Sequence, residues 1–572
     1  MCHWPATRHP SLPSYPLTRI DAYEAKCNSR RVDLAQNSGK DTTPNAEREQ
    51  VVRRAGRGGI AVAIAKLYFI FVGLIQQILL PRVLGAAGYG GLSRVFSLTS
   101  IAYNSVVSTS IQGTSRAISR STPDERSAVI RRVLRWHASL ALPLGLLVWL
   151  TAPSLCRVLN ATHLVAPLRA MGGVFFFYAL YAPVVGVING QQRFLVQAGL
   201  DMTFATLRTI AMIVGAWWLA KQQAMGVSGA VFGFVLASGI VTILAFMLAG
   251  IGQSGAAKLQ LKQYVGFMLP LFAGQILLNA LLQLDITLLG KFAADAADAA
   301  GVNVLRADAI VASYRATQLF SFLPYQLLLS ITFILFPLLA KAHREGSHAD
   351  VALFIRSGLR LALIVAGAMI TVSSGIPGDL LHLVFTADIA EPAVRSMGLL
   401  TLGFGAFAVF GILTTILTSL QHERTSALVT ALAVLLVVAL SFLLVRGQPF
   451  GVNLLWQMAL ATSCGLVLAT CAAAYFVFRF TGALMDKLSV VRVIAALTVS
   501  VLLGRFLVPH RLLALVVGSH WASHKLLRPL FAAACLELVY VICLASFGEL
   551  KRADFTRLLS FVHRRPAQAK VV

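Results

Sequence analysis

Four cations stand inside stretches that are otherwise apolar: Lys66, Arg94, Arg208 and Arg315. A charge at the middle of a bilayer costs on the order of 2.5–3.5 kcal/mol on insertion scales, so each needs a partner or a task. A guanidinium presents a fork of N–H donors that matches the oxygens of a phosphate, and a lysine adds a point charge. Three of the four begin a polar stripe at helical spacing. Lys66 is followed by Gly73 and Gln77, Arg94 by Ser97, Ser105 and Ser108, and Arg315 by Gln318 and Gln326. Gln275, Asn279 and Gln283 recur every fourth residue in another stretch. Such intervals keep side chains on one helix face. Cations among amides and hydroxyls would suit an anionic group joined to a hydroxyl-rich one. The plainer alternative is that Lys66, Arg94 and Arg315, nearer helix ends, extend to the lipid headgroups. Arg208 is closer to mid-membrane, where the plainer alternative is pairing with a carboxylate that the sequence does not name. Three acids fall in apolar stretches: Asp201, Asp285 and Glu537. Asp285 is a candidate to neutralise a cavity arginine or to carry a coupling ion, and Glu537 to serve structure.

The elements that must position these residues are long and apolar. Of 572 residues 57% are hydrophobic and 13% charged, so much of the surface must face lipid. From Ile60 onward, stretches of about 20 apolar residues, each enough to cross the hydrocarbon as a helix, recur fourteen times. They are predicted near 60–80, 88–112, 136–157, 165–190, 195–220, 226–250, 264–290, 309–339, 352–376, 393–419, 425–446, 452–478, 490–508 and 526–547. Residues 1–58 are polar and without periodicity, which predicts a disordered tail or a misassigned start. Residues 551–572 form a basic tail.

Lys and Arg number 49 against 23 Asp and Glu. With the N-terminus in the cytoplasm, the inner segments counted from Arg53 carry 26 basic residues and the outer segments 12. That bias predicts that both termini are cytoplasmic. The chain also repeats itself. "VIRRVLRWHASLALPLGLL" aligns with "FIRSGLRLALIVAGAM", placing Arg131 and Arg135 on Arg356 and Arg360; "GQQRF" falls near "LQHER", and "LSRVFSL" around Arg94 falls on "SYRATQL" around Arg315. The offset stays between 221 and 230 residues and spans six helices, an even number. The expected fold is therefore an all-α polytopic membrane protein of two parallel, pseudo-symmetric six-helix bundles, 59–257 and 258–480, facing a central cavity. A further helix pair, 481–550, lies outside the repeat. Arg94 and Arg315, as equivalents, are expected on opposite walls of that cavity.

"LLPRVLGAAGYGGLSRVFSL" resembles the first-loop pattern of polysaccharide exporters. "LLNALLQLDITLLGKFA" and "VASYRATQLFSFLPYQLLLSITFILFPLLAKA" resemble their seventh and eighth helices. The resemblance runs from about 60 to 480 and is to the multidrug/oligosaccharidyl-lipid/polysaccharide superfamily, with the Wzx-type O-antigen and exopolysaccharide flippases most similar. It implies movement of an undecaprenyl-pyrophosphate-linked oligosaccharide from the cytoplasmic to the periplasmic leaflet of the bacterial inner membrane, by alternating access of two lobes. The partners it implies are membrane lipids, a polysaccharide polymerase and a chain-length regulator. In that setting Lys66, Arg94, Arg315 and Arg208 would hold the pyrophosphate. Gln77, Gln275, Asn279, Gln318 and Gln326 would face the sugar. A peptidoglycan-precursor flippase shares the pyrophosphate problem and stays open as an alternative. A drug or cation antiporter of the same fold would favour acids over these cations. A lipid-sugar-dependent membrane enzyme would need a larger outer loop with placed acids.

Other signals are weaker. No GxxxxGK[ST] loop is present, so no nucleotide cofactor is expected. The seven cysteines form no CxxC pair and suggest neither a disulfide framework nor zinc. His520 and His524 have metal-like spacing without a third ligand, and Asp379, His382, Asp388 and Glu391 read as a solvated loop. Gly229 and Gly233 read as a helix-packing motif. No basic-aromatic module points to nucleic acid.

Overall fold

The computed structural model describes residues 44–220, 225–253, 255, 259–507 and 527–550, with side chains from Ala65 onward apart from Lys66 and a few positions further on. His520, His524 and the basic tail from Lys551 lie outside the described residues. The chain divides into two units, 1–63 and 64–572. Within the first, the described residues 44–63 are helical, so the stretch 1–58 expected to lack structure is helical from 44 onward. The site lies in the second unit.

Every element among the described residues is helical. The order is α1 (Pro44–Arg120), α2 (Pro123–Val158), a 3-10 turn (Thr162–Leu164), α3 (Val165–Gly190), α4 (Phe194–Ala220), α5 (Gly226–Ala249), α6 (Leu261–Ala299), α7 (Val304–Ser321), α8 (Leu323–Arg344), α9 (His348–Gly375), α10 (Pro377–Val384), α11 (Ala387–Ser419), α12 (Glu423–Leu444), α13 (Asn453–Thr481), α14 (Lys487–Leu507) and α15 (Leu527–Ser546). Twelve described helices are long and apolar enough to cross a membrane. The first of these, Leu67–Arg120, serves as two crossings, because Gly85 takes φ 68° and ψ 176° one turn after Pro81. Only glycine adopts that backbone without strain. Helices α7 and α8 meet at Phe322, where Pro324 has no N–H to continue the ladder, and together form one more crossing. Counted this way, the described helices provide fourteen crossings.

Each lobe has its own core. One is built from Leu80 to Met268 and also takes in Ala312, Ala316 and residues from Leu381 to Met397 of the second lobe; the other runs from Leu281 to Ala483. Helix α6 serves both: Tyr264 and Met268 pack in the first, Leu281 to Ala297 in the second, with Pro270 between. Close packing inside the first lobe depends on small residues. A Cβ on Gly229 or Gly233 would lie 2.1 and 2.0 Å from the carbonyl oxygens of Gly215 and Ala211, so α4 and α5 touch backbone to backbone.

The turns after α1, α3, α5, α8, α11 and α13 share one side, here the basic end; Gly85, Asn160, Gly301 and Phe385 mark the far end. Trp149, Trp217 and Trp218, towards the far end, are exposed, as expected of rings at a membrane–water boundary. The extra pair α14 and α15 packs on α9, where Tyr540 donates to the Ile364 carbonyl (3.1 Å) and Arg505 Nε to that of Ser374 (3.1 Å).

Candidate functional site

A cavity of about 300 Å³ opens between the lobes. The first lobe contributes Gln76 and Gln77 before the Gly85 break, then Tyr89, Ser93, Ser97, Ser100, Tyr103 and Asn104 after it. Arg208 arrives from the middle of α4, with Met212, and Phe234 from α5. The second lobe supplies Gln283 from α6 and Arg315 from α7. Residues 89, 93, 97, 100 and 104 recur every three or four positions, so one face of the second crossing forms a wall. No acidic side chain lines the cavity among the described residues.

The two cations are held differently. The Arg208 guanidinium stands over Phe69, Phe204 and Phe234, at 5.5, 5.8 and 5.6 Å from the ring centroids. Its Nε is buried without a hydrogen-bond partner in the protein. Aromatic faces attract a cation but accept no in-plane N–H bond, so this donor remains unsatisfied. Roughly 20 Å of helix separates Arg208 from each end of α4, at 1.5 Å per residue. Among the described residues Arg208 stands against aromatic rings and in no ion pair with a carboxylate.

Arg315 Nη1 donates to Gln318 Oε1 (3.0 Å), and Gln318 Nε2 donates to Asp285 Oδ2 (2.7 Å). Asp285 is fully buried and also accepts from Tyr314 Oη (3.1 Å) and the Ile286 amide (2.8 Å). Tyr314 in turn meets Thr462 Oγ1 at 3.3 Å. Asp285 therefore reaches the cavity arginine through one amide, whose two ends are matched to a cation and an anion. The remaining Arg315 donors face the cavity, with the Tyr89 hydroxyl beside them. Tyr89 itself donates to Gln77 Oε1.

Several expected site residues lie elsewhere. Arg94 does not line the cavity. It is buried at 6% exposure, with Nη1 2.7 Å from Asp308 Oδ1 and Nη2 2.8 Å from the Leu159 carbonyl. One residue is about 100° of helix turn, so Arg94 points away from the wall that Ser93 and Ser97 form. The facing pair is therefore Arg208 and Arg315. Gln318 supports Arg315 from the core. Asn279 is buried, donating to the Gln275 carbonyl (2.8 Å) and Ser105 Oγ (3.4 Å); neither Asn279 nor Gln275 lines the cavity. Gln326 is exposed on α8, beyond the Phe322 interruption. Gln77 lines the cavity. The Lys66 side chain lies outside those described. Asp379 pairs with Arg528 at 3.1 Å, while His382, Asp388 and Glu391 are exposed around α10.

Sequence reasoning passed over Asp308 because it sits one residue before the predicted eighth helix and reads as loop. Tyr89, Tyr103 and Asn104 were legible only as helix residues. Their signal was a shared face with Ser93 and Ser97.

Two lobes of membrane-length helices around a cationic cavity, with no acid among its described lining residues, define a polytopic membrane protein. Residues 55–343 match the model of the family described as polysaccharide biosynthesis protein, and the chain belongs to that family. Among solved structures, it is similar to the lipid II flippase MurJ in an inward closed conformation, at 12% identity and TM-score 0.67, over 87% of this chain and 100% of that one. An inward-facing multidrug resistance MATE family transporter of the MOP superfamily aligns at 14% identity and TM-score 0.58, over 72% and 94%. A MOP superfamily transporter from Pyrococcus furiosus, described as having a binding pocket of reverse polarity, aligns at 14% and 0.52, over 77% and 96%. No curated protein matches the chain in sequence.

Proposed function

We propose that this transporter flips an undecaprenyl-pyrophosphate-linked oligosaccharide from the cytoplasmic to the periplasmic leaflet of the bacterial inner membrane, supplying surface-polysaccharide assembly. The observation that carries the reading is the pair Arg208 and Arg315: one cation from each lobe, no carboxylate among the described wall residues, and an Arg208 Nε–H without a partner among them. An unpartnered donor in a low-dielectric site is a standing demand for an anion. Phosphate oxygens satisfy it with charge-assisted bonds, while the cavity amides and hydroxyls suit a sugar.

At about 30 Å³ of liquid volume per water, 300 Å³ has room for roughly ten waters, enough for a phosphate group but not for an oligosaccharide. Passage of the glycan therefore requires the lobes to part. Binding to arginines from both lobes gives the substrate a different affinity for closed and parted arrangements, which is the condition for a ligand to shift that equilibrium. Asp285, reached through Gln318, sets the charge seen by Arg315 in this scheme and is the candidate for ion coupling. A wall without an acid among its described residues disfavours a drug-cation antiporter.

The test is periplasmic appearance of glycan in a strain lacking its own flippase, normalised to membrane protein level. Arg208→Ala and Arg315→Ala should each reduce it strongly, with lysine at either position falling between. Normal export in both alanine variants would remove the pair from the mechanism. A second arm supplies the chain to cells depleted of their peptidoglycan-precursor flippase; rescue there, without glycan export, would assign the pyrophosphate lipid to cell-wall synthesis instead. Orientation is checked separately. Single cysteines at Asp388 and Gly447 should react with an impermeant thiol reagent from outside, and those at Gly346 and Glu423 should not.

A further inference from the structure

Asp308 lies on α7, in the second lobe, at 1% exposure, and both of its oxygens are engaged by the first. Oδ1 accepts from Arg94 Nη1 at 2.7 Å, and Oδ2 faces His163 Nε2 at 2.7 Å. Arg94 is anchored in turn to the Leu159 carbonyl, and His163 belongs to the 3-10 turn that follows. A second, independent feature occupies the same place. A Cβ built on Gly90 would lie 1.7 Å from the Asp308 carbonyl oxygen, so here the lobes meet backbone to backbone. On Gly290 a Cβ would lie 2.7 Å from Arg94 Nε, so the arginine is also gripped by α6. The same end carries Phe385, Ile389 and Met397 of the second lobe packed into the first lobe's core, with Phe385 6.2 Å from Tyr89.

We infer that Arg94, Asp308 and His163 form a latch that holds the far end of the cavity shut, and that separating the lobes there requires the triad to break. The geometry has no slack. Any movement of α7 away from the second crossing removes both partners of Asp308 together and parts the Gly90 contact. Arg94 is thus a gate residue rather than a wall residue, and its partner is built into the chain. The buried carboxylate keeps the guanidinium compensated while the cavity is closed at this end. The inference concerns how the transporter opens and does not depend on what it carries.

Ser100, which lines the cavity and is 4% exposed, provides the reporter. With the seven natural cysteines replaced, Ser100→Cys is labelled by an impermeant thiol reagent added at the membrane face opposite the basic loops, in the absence of substrate. Asp308→Asn should raise the labelling rate about tenfold, the factor corresponding to 1.4 kcal/mol of latch free energy. His163→Gln, which keeps the arginine–carboxylate pair, should raise it less. Gly90→Ala should raise it with all three latch residues present, because the added methyl cannot fit the closed contact. Should Asp308→Asn fail to accumulate as folded protein, His163→Gln and Gly90→Ala decide. Unchanged labelling in the folded variants, or a rise only for reagent added at the basic face, would overturn the latch.

Discussion

Arg94 and Arg315 occupy equivalent places in the two repeats, 221 residues apart, and end in opposite circumstances. In the first lobe the guanidinium is buried against Asp308 and a carbonyl; in the second it lines the cavity, held by the Gln318 amide with the Tyr89 hydroxyl beside it. The next pair of equivalents diverges the same way in reverse. Arg360 is tied to Glu549 after the extra helix pair at 2.8 Å, while Arg135 is exposed. An internal repeat preserves the backbone path and the residue type. Which member of a pair is pinned depends on a carboxylate that lies outside the repeated pattern, Asp308 for one and Glu549 for the other. Duplication thus supplies matched cations, and unmatched acids assign one to structure and leave the other free.

The comparison breaks most sharply on stability. Removing one partner of a buried ion pair costs about 3–5 kcal/mol, so Arg94→Met should lower the thermal midpoint in detergent far more than Arg315→Met. Arg94→Met combined with Asp308→Leu should recover much of that loss, since apolar replacement of a whole buried pair is close to neutral. Equal destabilisation by Arg94→Met and Arg315→Met would erase the distinction between pinned and free.

Transport should rank the residues in another order. Losing a hydrogen bond to a charged group costs about 1.5–3 kcal/mol, so Arg315→Ala and Arg208→Ala should each weaken head-group binding by roughly 10- to 100-fold at normal stability. If both arginines grip one phosphate group, the double alanine should be non-additive. Additive losses would place them on separate parts of the substrate.

The smallest effect belongs to Glu549. Burial raises its pKa, but the Ser489 hydroxyl, Arg360 and Arg492 outweigh that and hold it below the ordinary value of 4.5. A depressed folded-state pKa stabilises the fold above the unfolded value, and the contribution fades as pH falls through the folded one. Its arginine partners are a third exposed, so Glu549→Gln should cost less than about 1 kcal/mol near neutrality and flatten the loss of stability on acidification. An unaltered acid limb in Glu549→Gln would show that the extra helix pair is secured by apolar packing alone.

How far the sequence reached depends on the range of the physics involved. Fourteen crossings, two lobes and an extra pair were legible because lipid imposes its demand locally: every segment must bury its own backbone bonds and show apolar side chains over about 30 Å. The Gly229/Gly233 contact and the turn at Gly85 were legible for the same reason, since glycine's meaning there is set by its neighbours in the chain. The cations were legible as exceptions to that demand. Their partners were not. Arg94 finds Asp308 across 214 positions, Asp285 finds Tyr314 and Gln318 on another helix, and Arg208 finds three aromatic rings in place of an acid. A polar stripe states that a helix has a face, but the rotation of that face towards cavity, core or neighbour follows from packing every other helix at once. Tertiary structure alone therefore decided which arginines line the cavity and which one locks it, because the energy of a buried charge depends on what stands within a few ångströms of it.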